Sequence, residues 1–175
     1  SARRIALVAD TGFYVGPPIA RLLAARGHDL VIGNPADGLV DELTAAGATV
    51  HVVDGVRDLT DPASSQRLVH GALDRFGRID AAVAFSGRVI TGSFLDSTIE
   101  DLHKAVAGCI EAPFHFLKAV TPVMVAQQGG QILVGRVAPV ALLAGDFERL
   151  RKAGVPLAPP LRGEPGLPTL STERF

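Results

Sequence analysis

The sequence predicts an α/β protein built on a doubly wound parallel sheet, with helices on both faces in three layers. Three observations carry that expectation. Short apolar runs alternate with segments of helical spacing along most of the chain, the order expected of repeated strand–helix–strand units. The runs are mostly apolar rather than apolar only at every second residue, as strands buried on both faces are. Glycines stand directly behind helical segments at Gly27, Gly47 and Gly77, where a left-handed cap ends a helix.

The expected strands are Arg4–Val8, Asp29–Ile32, Thr49–Val53, Ala81–Phe85 and Gln131–Val134. The expected helices are Pro17–Ala25, Gly38–Ala46, Pro62–Phe76 and Ile99–Gln127. Proline near the start of the first and third helices suits the first turn, where no amide donor is needed. The alternation stops near Gly135. Residues 136–175 are dense in proline, which argues against regular structure across 155–168, and only Gly145–Ala153 has helical spacing. Residues 1–135 thus form the α/β domain. Residues 136–175 form an atypical or shortened C-terminal part that packs on it, is partly disordered, or is the remnant of a longer domain.

A chain of 175 residues, 47% of them hydrophobic, is sized for one domain with a real core. A net charge of −1 gives no general attraction to nucleic acid or to anionic lipid. The single Cys109 excludes a disulfide within the chain and a multi-cysteine metal site, so a cytoplasmic location is expected. No uninterrupted apolar run reaches the roughly 18 residues of a membrane span. Ser1-Ala2-Arg3-Arg4 leads straight into a strand, unlike a signal peptide.

Ligands of doubly wound sheets sit at the carboxyl ends of the strands, near the switch in strand order. In Rossmann-like sheets the turn after the first strand cradles a dinucleotide pyrophosphate, and it needs glycine to bend tightly and to approach the phosphates. Here that turn reads Val8-Ala9-Asp10-Thr11-Gly12-Phe13-Tyr14-Val15-Gly16-Pro17-Pro18. Tyr14 is either a plug that displaces phosphate or a turn residue stacked on the first helix. Asp10 adds like charge near phosphates, caps the first helix, or does both. Asn34 follows the second strand, where an acidic residue would hold the ribose hydroxyls of NAD and a nearby arginine would favour the 2′-phosphate of NADP. It selects neither.

Residues 4–135 resemble the short-chain dehydrogenase/reductase superfamily. The family opening V-T-G-x-x-x-G-x-G-x-x-I-A lies over Val8–Ala20, with Gly16 kept and Asp10 and Tyr14 in place of two glycines. Arg57-Asp58-Leu59-Thr60-Asp61-Pro62 is similar to a D-x-T-D segment. By that resemblance Asp58 contacts adenine; by its own sequence context it is a turn aspartate before a helix capped near Asp61. Phe76-Gly77-Arg78-Ile79-Asp80-Ala81-Ala82-Val83 is similar to F-G-x-I-D-x-L-V. Ala84-Phe85-Ser86-Gly87 stands where N-N-A-G is usual, with Gly87 kept. The resemblance implies an oxidoreductase acting on a small molecule with NAD or NADP, held at Asp10, Tyr14, Gly16, Asn34, Asp58 and Gly87. It also implies a homodimer or homotetramer built on the fifth helix. A stripe of Leu102, Val106, Ile110 and Leu117 suits either that interface or core packing.

The family's catalytic residues are not matched. The helical asparagine position falls on Cys109 and the serine position near Arg136 or Val137. Tyr14 is the sole tyrosine, so no Tyr-x-x-x-Lys exists and the usual proton donor is missing. Halohydrin dehalogenases, a cofactor-independent branch acting on epoxides or vicinal haloalcohols, share an aromatic at the middle glycine and lack the asparagine. Phe13-Tyr14-Val15-Gly16 and Glu111-Ala112-Pro113-Phe114 are similar to that branch. Leu170-Ser171-Thr172-Glu173-Arg174 is similar to its tyrosine–arginine segment, with leucine at the tyrosine position. An alternative alignment likens Val155-Pro156-Leu157 and Gly163-Glu164-Pro165 to a late segment of ordinary members. A third reading is a noncatalytic binding or oligomerisation module. Cys109 reads as a small core residue, His103 as solvated and His115 as packing, with no metal site expected; Arg136 and Arg174 are anion binders or surface solubilisers.

Overall fold

The structure is a computed structural model that describes residues 3–56, 58–86 and 94–136. The chain divides into two compact units, Ser1–Ile90 with Ser97–Pro139, and Thr91–Asp96 with Val140–Phe175. The described residues of the second form a short 3-10 turn, Phe94–Asp96. The first holds the sheet.

That sheet has five parallel strands in the order β3-β2-β1-β4-β5. They are β1 Arg4–Val8, β2 His28–Gly33, β3 Val50–Val53, β4 Ala81–Ser86 and β5 Gln131–Arg136. The helices are α1 Gly16–Ala25, α2 Leu39–Ala45, α3 Pro62–Phe76, α4 Ile99–Val106 and α5 Ala112–Gln127. Alternate residues of each strand face opposite layers. Leu7, Val31, Ala82 and Ala84 pack with Leu68 of α3 and Phe116 and Val120 of α5. Ala6, Val8, Leu30, Ile32 and Val83 pack with Ala20 and Ala24 of α1 and Leu39 and Leu43 of α2. Helices on both faces explain why the strands are largely apolar on both faces. The three-layer, doubly wound expectation holds.

One local difference from the sequence reading has a clear cause. Ile99–Gln127 is not one continuous α-helix: Ala107–Glu111 is a π turn between α4 and α5. Pro113 has no amide to give the carbonyl four residues back, and its ring would clash there. The helix opens by one residue, and the Ala112 amide reaches Ala107 O instead. Among the described residues this whole run is long and apolar enough to cross a membrane by length and composition alone. Here Phe116, Val120 and Met124 are buried in the core.

The Phe76–Val83 motif carries Asp80 into β4. It works as a clasp at the amino edge of the sheet. Asp80 Oδ2 accepts the Ile5 amide at 2.8 Å, and the Asp80 amide donates to Ile5 O at 2.8 Å. Arg78 Nε donates to the same carboxylate at 3.0 Å. Burial works to raise this carboxyl's pKa, but the bonds from Arg78 and Ile5 and the charges of Arg78 and Arg4 outweigh it. They hold it below the ordinary value. Beside it, the Gln127 amide pairs with both backbone groups of Ile79, at 3.0 and 2.8 Å.

Candidate functional site

Strand order reverses between β1 and β4, so their carboxyl ends flank the crevice where ligands of such sheets bind. The turn joining β1 to α1 lies over it. Ala9 extends the sheet by donating to Val83 O at 2.9 Å. Thr11, fully buried, ties the turn to β2: its amide and hydroxyl both donate to Gly33 O at 3.0 Å, and its carbonyl accepts from Ala36. Close approach then dictates the glycines. A Cβ on Gly16 would stand 2.2 Å from Asp10 O, and one on Gly12 would stand 2.6 Å from Asn34 Nδ2. Gly16 therefore serves close packing of the helix on the turn. Gly12 was not singled out by sequence, since its constraint comes from Asn34, far along the chain.

Asp10 corrects one expectation. It does not cap α1, whose N-cap is Val15 with no side-chain cap bond. Its Oδ1 accepts the Gly12 amide at 2.9 Å and the Asn34 side-chain amide at 3.3 Å, joining the turn to the end of β2. Asn34 sits in the left-handed region at φ 46°. Its amide is thus spent on Asp10.

Tyr14 takes φ 54°, the conformation a glycine would adopt without strain. The residue is 70% exposed. It leans on Phe85 at the end of β4, with centroids 5.2 Å apart and planes inclined at 40°. Room for Phe85 comes from Gly135 on β5, where a Cβ would meet the ring at 2.8 Å. An aromatic pair therefore stands at the switch point between β1 and β4. The sequence showed Tyr14 as an intruder but gave no sign of Phe85 as its partner.

The remaining candidates are scattered. Asp58 lies between β3 and α3, where Oδ1 accepts from the Thr60 amide and hydroxyl at 2.9 and 2.7 Å; Asp61 caps α3 through the Ala63 amide. Cys109 is buried within the π turn, His103 is exposed and His115 half-buried. Among the described residues no three His, Cys, Asp or Glu side chains converge as a metal-ligand set. Gly87, Arg174, both late alignment segments and the Arg136 side chain lie outside the described residues.

A pyrophosphate at such a turn is held by amides of the loop and of the helix N-terminus. Here the amides of Thr11, Gly12 and Gly16 donate to Gly33 O, Asp10 Oδ1 and Phe13 O. Pro17 and Pro18, the second and third residues of α1, have none to give. The turn's anion is its own carboxylate. Bonds within the turn and the two prolines thus occupy or remove these donors, and the amides of Phe13, Tyr14 and Val15 are left to face an anion, so the fit to a pyrophosphate is partial.

Comparison with known proteins settles the kinship. A family model described as enoyl-(acyl carrier protein) reductase matches residues 14–143. The chain belongs to the short-chain dehydrogenase/reductase superfamily. It is 34% identical over 123 residues to oxidoreductase UcpA of Escherichia coli strain K12, covering 69% of this chain and 46% of UcpA. Among solved structures it is similar to 3-oxoacyl-[acyl-carrier protein] reductase from Brucella melitensis in complex with NAD, at 29% identity and TM-score 0.64. That match covers 77% of this chain and 55% of the other. It is also similar to a 7α-hydroxysteroid dehydrogenase complexed with NADH and 7-oxoglycochenodeoxycholic acid, at 25% identity and TM-score 0.67, covering 75% and 52%. The chain spans about half the length of the curated relatives it matches.

Proposed function

We propose that this chain is a short-chain dehydrogenase/reductase-type oxidoreductase fold that binds a small molecule at the carboxyl edge of its sheet, between β1 and β4. The observation that carries the reading is the β3-β2-β1-β4-β5 order, with the Gly12–Gly16 turn and Phe85 at its reversal. Superfamily membership supports NAD or NADP as coenzyme, and relatives of similar fold hold NAD and NADH. The turn departs from a standard grip on the phosphates at Asp10, Pro17 and Pro18. Titration of isotope-labelled protein with NADH to about 1 mM, a concentration that detects even weak sites, tests the location. Shifts at Tyr14, Phe85 and Gly12–Gly16 are expected; shifts confined elsewhere, or none, sink the reading.

A second reading, a cofactor-independent lyase like the halohydrin dehalogenases, draws on the Tyr14–Phe85 pair at that edge. Halide release from a vicinal haloalcohol above a heat-killed control would support it, and no release removes it.

The same proposal extends to assembly and location. On α5, Phe114 is 57% exposed and Val125 69%, and Lys118 Nζ stands 5.8 Å from the Phe114 ring. Of the stripe read from sequence, Leu102, Ile110 and Leu117 are exposed and so do not serve the core. This face suits a second copy of the chain, giving a homodimer or homotetramer in the cytoplasm. Light scattering of the native chain and of Phe114→Asp tests it: a native monomer overturns it.

A further inference from the structure

We infer that Asp10 is a specificity-determining residue that turns the crevice against phosphate-bearing ligands, by acting as a built-in anion for the turn. This rests on the reading that the crevice binds a small molecule, and it concerns which chemistry that molecule carries.

The two bonds accepted by Asp10 and the make-up of the first turn of α1 point the same way. Asp10 Oδ1 holds the Gly12 amide at 2.9 Å, so a donor that could face an incoming oxyanion is satisfied from within. The same oxygen draws in the Asn34 side-chain amide at 3.3 Å, so the neutral donor at the end of β2 is spent as well. Pro17 and Pro18 delete two amides from the first turn of α1, and the Gly16 amide closes on Phe13 O at 3.2 Å. An anion entering here finds the Gly12 and Asn34 donors already taken, is left with the amides of Phe13, Tyr14 and Val15, and meets a fixed negative charge. Among the described residues no cation pairs with Asp10. The carboxylate's repulsion is therefore not cancelled locally, and in a partly buried crevice it outweighs what it would be in bulk water. A neutral ligand pays no such penalty. The crevice accordingly favours a neutral, flat molecule able to lie against the exposed Tyr14 ring, 5.2 Å from Phe85.

The test compares a charged ligand with its neutral part. Calorimetric Kd values are measured for NADH and for adenosine with the native chain, Asp10→Asn and Asp10→Glu. Asparagine keeps an oxygen for the Gly12 amide and removes the charge; glutamate keeps the charge. The native chain should bind NADH no more tightly than adenosine. Asp10→Asn should lower the NADH Kd about tenfold while adenosine changes by less than about twofold, and Asp10→Glu should bring no gain in NADH affinity. Native binding of NADH at least about tenfold tighter than adenosine overturns this inference while leaving the proposed site intact. So does an unchanged NADH Kd in Asp10→Asn where adenosine still binds. Failure of both ligands to bind any of the three proteins overturns the inference and the proposed site together.

Discussion

Two aspartates at opposite ends of neighbouring strands do opposite work. Asp80, leading into β4 at the amino edge, accepts the Ile5 amide and meets the guanidinium of Arg78, so its charge is matched. Asp10, just beyond β1 at the carboxyl edge, accepts the Gly12 and Asn34 amides with no matching cation among the described residues. The first arrangement locks two strands together. The second leaves uncompensated charge where a ligand would enter. Amide donors are common to both, so the paired cation is what separates a staple from a gate.

The comparison is sharpened most by Gly16→Ala. Its new Cβ would lie 2.2 Å from Asp10 O, and relief requires moving backbone, so a loss of about 3 kcal/mol is expected in urea unfolding. A loss below about 1 kcal/mol would show the turn to be soft rather than closed on itself.

Asp80→Ala leaves the Ile5 amide without its acceptor, an expected cost of about 2 kcal/mol at neutral pH. The sign of its pH dependence follows from the lowered pKa. The carboxylate stabilises the native state above its unfolded value and ceases to as pH falls through the folded one. The gap between native protein and variant should therefore shrink on acidification. A gap that widens would contradict the clasp.

Gln127→Ala removes both partners of Ile79 and should cost about 1 kcal/mol. Tyr14→Gly comes last. It relieves a left-handed tyrosine but gives up the Phe85 contact, two effects of similar size and opposite sign, so thermal unfolding should move by less than about 1 kcal/mol equivalent. A large loss would make the aromatic pair part of the core.

The layers and the five strands were legible because strands covered on both faces leave short, mostly apolar runs between helical segments. The Phe76–Val83 motif was legible as a motif, but its work was not, because the Asp80 partner Ile5 lies 75 residues away. Asp10 misled in part for the same reason. An aspartate ahead of a helix reads as a cap, but its side chain takes the Gly12 amide two residues on and the Asn34 amide that follows β2. Pro113 was visible, yet nothing local decides whether a helix answers it with a kink or with a π turn. Gly12 and Phe85 became functional candidates only once their neighbours were placed.

The most direct measurement is a crystal structure of the native chain grown with excess NADH. The account predicts Asp10 Oδ1 still on the Gly12 amide, Tyr14 still against Phe85, and no diphosphate on the turn. A diphosphate seated on the amides of residues 12–16, with the tyrosine ring swung clear, would contradict it.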